Sequence, residues 1–150
     1  FSRTFGKRIW LDNYSFPSCE SVLKKCVDLK KCRLGYREPY ILETVSKIVA
    51  EKIDLEALKD MASGDARDFL KTFHGVGDKI ADCVLLYALK RYETFPVDTW
   101  IRKVMIKEYI KKEVSDNYIR DFAKNRWGGY AGYAQIYLFY YSRTHYQKKL

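Results

Sequence analysis

His74-Gly75-Val76-Gly77-Asp78-Lys79-Ile80-Ala81-Asp82-Cys83 lies between two segments whose apolar residues recur at helical spacing. Two glycines at i and i+2 permit a backbone turn that side chains would obstruct. The second glycine opens a helix, where free N–H groups and the positive end of the dipole face outward and offer a seat for a phosphate. Helix, turn and helix then form a helix-hairpin-helix, whose contacts go to the DNA backbone and carry no sequence information. Gly-x-Gly also serves as a plain corner between two helices, and that alternative stands beside the first.

Working outward, Ser18 is placed to cap a helix running towards Asp28. Glu38-Pro39 precedes Ile41, Val45, Ile48, Val49 and Ile53, spaced as one helical face, with Pro39 suited to a first turn. Asp54 starts a further helix through Ala62, broken by Ser63-Gly64, and 65–72 reads as a short helix. The segment from about Asp78 to Arg91 is apolar almost all round and is expected to be central. Beyond the break at Pro96, Asp98 caps a helix through Ile110 and Ser115 caps one through Trp127 that Gly128-Gly129 ends. A last helix runs from about Tyr130 to His145. There is no Asn-Gly or Asp-Gly turn and no sustained apolar–polar alternation. The expectation is an all-α chain of seven or eight helices.

A length of 150 residues fits one domain, or two small lobes sharing a core, and 47% hydrophobic residues argue against disorder. The longest apolar run, Cys83 to Leu89, is too short for a membrane span, and no basic-then-apolar leader suggests export. Neither a membrane partner nor a location outside the cell is expected. The net charge of +9 points towards a polyanion. It is uneven, with +5 in residues 1–50, −3 in 51–100 and +7 in 101–150, and a solvated helix face is the other reading of such charge. Cys19, Cys26, Cys32 and Cys83 include no CxxC pair, which disfavours a zinc site, so free and mostly buried thiols are expected.

Lys79 sits in a first helical turn, where the dipole disfavours an ammonium by up to about 1 kcal/mol. A phosphate contact or a solvated side chain accounts for it; so does an amine used as a nucleophile. Cys83, one turn on, shares its face and is otherwise core. Asp98 is either a plain N-cap or a cap whose second oxygen reaches a cleft, where it steadies developing positive charge or accepts a proton. Gln135 and Phe139, at i and i+4, are suited to read and stack a flipped-out base, or are respectively a surface and a core residue.

Leu34-Gly35-Tyr36-Arg37, Gly75-Val76-Gly77-Asp78-Lys79-Ile80-Ala81-Asp82-Cys83, Pro96-Val97-Asp98 and Tyr130-Ala131-Gly132-Tyr133-Ala134-Gln135 with Phe139, in this order, resemble the 8-oxoguanine DNA glycosylase/AP lyase family of the helix-hairpin-helix glycosylases. The closing motif is similar to the eukaryotic-type branch, and the resemblance covers most of residues 14–145. It implies helical glycosylase lobes with a cleft between them, the helix-hairpin-helix at about 65–91 and C-terminal helices over 98–146. It implies that Lys79 attacks the anomeric carbon of a damaged nucleoside, expels the base, forms a Schiff base and supports β-elimination. Asp98 would assist the oxocarbenium-like transition state. Cys83 and Phe139 would sandwich the extruded base, and Gln135 would bond its Watson–Crick edge. Tyr36 would wedge into the stack and Arg37 would bond the orphaned cytosine. Gly75 and Gly77 would hold phosphate, and main-chain carbonyls of Lys71, Phe73 and Val76 would hold a structural monovalent cation.

The chain departs from the family at three positions. Phe73-His74 replaces a common Leu-Pro, Trp100 replaces a phosphate-contacting His at a DNA-facing position, and Pro39 replaces an arginine of the cytosine-reading motif. The usual N-terminal β-domain has no counterpart, so the chain reads as the C-terminal portion of a longer protein. Sibling branches bind an iron–sulfur cluster through four cysteines after the catalytic region, whereas no cysteine follows Cys83; no such cluster and no required cofactor are expected. The implied partner is duplex DNA containing 8-oxoguanine opposite cytosine, met by a monomer inside the cell. A non-catalytic helix-hairpin-helix binding module and a glycosylase for another damaged base are the competing readings.

Overall fold

The computed structural model of the chain describes residues 1–146. Two compact units form, the first from Phe1–Leu58 with Thr72–Gly75 and the second from Lys59–Lys71 with the chain from Val76 onward. The first opens with α1 (Ser2–Phe5), followed by antiparallel β1 (Arg8–Trp10) and β2 (Asn13–Tyr14). This short hairpin, which the sequence reading did not include, is the only strand pairing among the described residues, and the all-α class stands. All three β1 residues are exposed, so burial imposed no alternation on the sequence. The turn also lacks glycine, Leu11 taking the left-handed conformation at φ +48°.

Ser18 caps α2 (Cys19–Lys24) through a bond from the Ser21 N–H to its Oγ, 3.3 Å. The helix does not continue to Asp28; the chain tightens into a 3₁₀ run over Cys26–Cys32, which Arg33 ends at φ +51°. A 3₁₀ turn at Gly35–Arg37 leads into α3 (Glu38–Ala50), with Pro39 in its first turn as expected. Phe5, Val22, Leu29 and Val45 form the core of this unit, with Ile41 and Leu42 packed on it. The helix expected from Asp54 is only a 3₁₀ turn over Glu56–Lys59. Asp54 Oδ1 accepts from the Glu56 N–H at 2.9 Å, so the aspartate does cap the turn that follows.

The first half of the glycine turn is fastened to α3. Lys47 Nζ donates to the Thr72 carbonyl at 3.3 Å and Oγ1 at 3.2 Å, and lies over the buried Phe73 ring. His74 pairs with Glu43 through Nδ1 and packs edge-on to Tyr40, with ring centroids 4.7 Å apart. The position that departs from the family's proline is thus held by side-chain contacts. Gly75 has φ +82°, and a Cβ there would lie 2.6 Å from the Tyr40 ring.

In the second unit α4 (Ser63–Leu70) takes Ser63-Gly64 as its first turn, where a break was expected. The helix α5 (Asp78–Cys83) runs on into a π turn over Val84–Ala88, closed by Leu89 N–H to Val84 O at 3.1 Å. It is not buried all round: Ala81, Asp82, Leu85 and Leu86 face inward while Lys79, Ile80 and Tyr87 are exposed. Next come α6 (Thr99–Val104), which also widens into a π turn, then α7 (Asp116–Trp127), capped by Ser115 and ended by Gly128 at φ +54°. Last is α8 (Ala131–Tyr146). Phe95, Val97, Ile101, Val104, Met105, Ile119, Ala123 and Ala131 form the core that joins α6, α7 and α8. Among the described residues no helix is long and apolar enough to cross a membrane.

The two hairpin glycines make different demands. Gly75 requires both a left-handed backbone and the absence of a Cβ, whereas Gly77 is extended and has open space around its Cα. Gly75→Ala is expected to lower unfolding stability by at least about 1–2 kcal/mol, from the backbone term alone. Gly77→Ala should cost less, about 0.5–1 kcal/mol, the difference between glycine and alanine at the N-cap of α5. Urea titrations of the two variants check this.

Candidate active site

The helix that carries Lys79 is positioned by a buried carboxylate. Asp82 is 2% exposed and accepts from Arg67 Nε of α4 at 2.7 Å and Arg120 Nε of α7 at 2.9 Å. Asp78, one turn earlier, pairs with Lys71 at 2.8 Å and lies 3.4 Å from Arg67. These cations hold the Asp78 carboxyl below its ordinary range. Removing the Asp82 carboxylate would take from Arg67 and Arg120 their shortest ion pairs and leave Asp78, 3.4 and 3.6 Å away, as the carboxylate they share. Asp82 therefore fixes both the rotation and the depth of α5.

With Asp82 turned inward, Lys79, Cys83 and Tyr87 look outward. Lys79 is exposed at the first turn, with its ammonium near enough to the Cys83 thiol to act on it electrostatically. Burial raises the Cys83 thiol above its ordinary value; the Lys79 ammonium opposes that rise, and the Asp82 and Asp98 carboxylates add to it. Burial likewise raises the Tyr87 phenol, helped by Cys83 and Asp98. Cys83 thus lies within electrostatic reach of Lys79, Tyr87 and Asp98, and Tyr87 within reach of Asp98. Asp98 Oδ1 accepts from the Ile101 N–H at 2.8 Å and caps α6, which leaves Oδ2 for other work.

Gln135 is 4% exposed, which corrects the plain reading of it as a surface residue. Its Nε2 donates to the Pro96 carbonyl at 3.3 Å, and its Oε1 accepts from Tyr87 Oη at 3.1 Å. An amide offers two donors and two lone pairs, so one N–H and one lone pair remain. Phe139 is half-buried against the core, with the Arg143 guanidinium 5.6 Å from its ring centroid. Trp100 is also half-buried against that core.

Tyr36 and Arg37 belong to the first unit. Tyr36 is 68% exposed, and the Arg37 guanidinium lies 4.4 Å from its ring centroid. The Phe73 carbonyl also belongs to the first unit, those of Lys71 and Val76 to the second. Among the described residues no cluster of His, Cys, Asp or Glu could hold a metal ion. All four cysteines are free, but Cys26 is exposed and the rest are only part-buried, against the expectation of mostly buried thiols.

Three contributors were not singled out from sequence. Asp82 was read only as part of a motif, though the Asp78/Asp82 spacing of one turn was a sign of a paired acidic face. Tyr87 was counted among apolar residues. Gly132 was noted without a role: its N–H donates to the Tyr92 carbonyl at 2.6 Å, and a Cβ would meet Leu86 at 2.3 Å. This close approach brings α8 against the α5 segment and so delivers Gln135 to Tyr87 and Pro96.

No family model matches the chain. A probable N-glycosylase/DNA lyase of Methanothermobacter thermautotrophicus is 44% identical over 116 residues, which are 77% of this chain and 37% of that protein. The N-glycosylase/DNA lyase of Saccharomyces cerevisiae is 30% identical over an alignment of 161 positions that covers 84% of this chain and 43% of that protein. A Clostridium acetobutylicum 8-oxoguanine glycosylase/lyase, solved in complex with dsDNA containing cytosine opposite 8-oxoG, superposes with a TM-score of 0.88 at 36% identity. That match covers 97% of this chain and 51% of the other. The chain spans about half, or less, of the length of these relatives.

The raised Cys83 thiol carries little thiolate at neutral pH, and the thiolate is the reactive form. Iodoacetamide at pH 7.5 should label exposed Cys26 first, with Cys83 lagging severalfold because its thiol is raised and part-buried. The gap narrows as the pH is raised past 9. Peptide mapping by mass spectrometry reads both rates.

Proposed function

The chain belongs to the 8-oxoguanine N-glycosylase/DNA lyase family, and from that premise we propose that it supplies the chemistry of a bifunctional base-excision-repair glycosylase acting on 8-oxoguanine opposite cytosine. One observation carries the reading: an exposed lysine, a thiol, a capping aspartate and a buried amide converge in the second unit, on residues that match the family's motifs. The charge of +9 suits a duplex partner, and activity on DNA inside the cell follows from that partner.

Extrusion of the damaged nucleotide brings its atoms to this site, since they are unreachable in the stacked duplex. Tyr36 enters the vacated stack and Arg37 bonds the orphaned cytosine. Gly77, with open space over its backbone, lets a phosphate approach the first turn of α5. The base lies between Cys83 and Phe139; the neutral thiol presents a soft, uncharged surface to its face. The free N–H and lone pair of Gln135 meet its Watson–Crick edge.

Lys79 Nζ, as the free amine, forms a bond to C1′ while the C1′–N9 bond breaks, and the base leaves with the electron pair and takes up, by way of Asp98, the proton that the amine sheds. Positive charge grows on the sugar in this step. Asp98 Oδ2 offsets it and accepts a proton released by the attacking amine. Ring opening then gives the Schiff base, and loss of a C2′ proton expels the 3′ phosphate.

Sodium borohydride reduces such an imine to a stable amine. Incubation with a duplex carrying 8-oxoguanine and borohydride should give a covalent protein–DNA band with wild type and none with Lys79→Gln. Equal trapping by both would remove the proposal and leave a non-catalytic binding module. Asparagine is as good an N-cap as aspartate, so Asp98→Asn should keep the melting temperature within a few degrees. Its single-turnover excision rate should nevertheless fall by about 10²-fold or more, the range for loss of a positioned proton acceptor. Duplex affinity should change less than about threefold.

A further inference from the structure

Tyr87 has no part in the chemistry just described, yet its phenol is the group that touches the buried amide of Gln135. The contact is built by the backbone. At 3.6 residues per turn each step of four residues drifts by about 40°, so a regular helix would carry Tyr87 well round from the Lys79 face. The π turn over Val84–Ala88 widens the helix at that point and holds Tyr87 back above Cys83. π turns are uncommon and gather at functional sites. Here one places a polar tip beside the residue proposed to read the base.

The terminal torsion of a glutamine is soft, with no sharp staggered minimum. A single hydrogen bond leaves the amide plane free to turn. Two bonds, at opposite corners, fix it. Gln135 has one at each corner, Nε2 to Pro96 O at 3.3 Å and Oε1 from Tyr87 Oη at 3.1 Å. The carbonyl of Pro96 accepts only, so it decides which corner is nitrogen. Tyr87, which can donate or accept, sets the plane. The tyrosine is 56% exposed while the amide is buried, so Tyr87 stands between the amide and solvent.

We propose that Tyr87 is a positioning residue that locks the amide plane of Gln135, so that one donor and one acceptor face a purine edge carrying an acceptor beside a donor, as guanine-type bases do. The inference rests on the proposed glycosylase reading. Tyr87 touches neither sugar nor phosphate in this role, so its effect is confined to steps in which a base is read.

That confinement gives the test. Tyr87→Phe keeps the ring and removes only the oxygen. Two single-turnover rates are measured with the protein, excision of 8-oxoguanine opposite cytosine and strand nicking at a preformed abasic site, which has no base to read. Tyr87→Phe should slow excision roughly tenfold and leave abasic-site nicking within twofold of wild type. Tyr87→His, which restores a polar tip, should recover part of the loss. Unchanged excision by Tyr87→Phe overturns the inference while wild-type activity keeps the glycosylase reading intact. Equal slowing of both steps also overturns it, because it marks a general structural defect. Wild type inert on both duplexes removes the glycosylase reading and this inference together.

Discussion

Asp82 is the constraint on which the second unit depends. A carboxylate that is 2% exposed keeps its charge at tolerable cost only when its oxygens are filled by well-placed donors. Arg67 from α4 and Arg120 from α7 supply them, so three helices meet at one buried ion network. Directional bonds of this kind fix rotation as well as position, which an apolar contact does less well. With Asp82 inward, helix spacing sets Lys79 about 60° and Cys83 about 100° round α5 from it, on the flank that leads out of the core. The residue proposed for chemistry is therefore held by one that never touches substrate.

Glycine makes the second contribution, through what it lacks. Gly75 allows the Tyr40 ring to lie where a Cβ would be, and fastens the first half of the hairpin to α3. Gly132 does the same for α8 against Leu86 and the Tyr92–Thr94 backbone. Both are sites of close approach, and both sit beside residues proposed to act on DNA. Gly77 differs, since its own chain leaves the space over it open. A side chain there would meet only what comes from outside.

Gln135 joins structure to proposed recognition. The buried loop Phe95-Pro96-Val97 carries a carbonyl that needs a donor, and one N–H of Gln135 provides it. The remaining donor and acceptor are held in a fixed plane by Tyr87. An amide anchored in this way loses little further entropy on binding a base. Asp98 shows the same economy, with one oxygen capping α6 and the other left over.

Much of the fold was legible in the sequence because its signals are local. Ser18, Asp98 and Ser115 each cap the helix they were expected to cap, and Pro39 and Gly128 bound helices as expected. Caps and glycine stops act through bonds to the nearest turn, so their spacing is written in the chain. The β1–β2 hairpin was missed because its residues face water, and burial alone writes alternation. The segment expected as a helix from Asp54 is a four-residue 3₁₀ turn at Glu56–Lys59, because apolar spacing over so few residues does not distinguish i+3 from i+4 bonding. For the site, the sequence determined which residue types stand at which spacing: an amine and a thiol one turn apart, a capping carboxylate, an amide and a ring on the last helix. Only the tertiary structure decided that Gln135 is buried, that Tyr87 meets it across 48 residues of chain, and that Asp82 pairs with arginines 15 and 38 residues away. Those facts are set by packing between distant segments, and no local pattern encodes them.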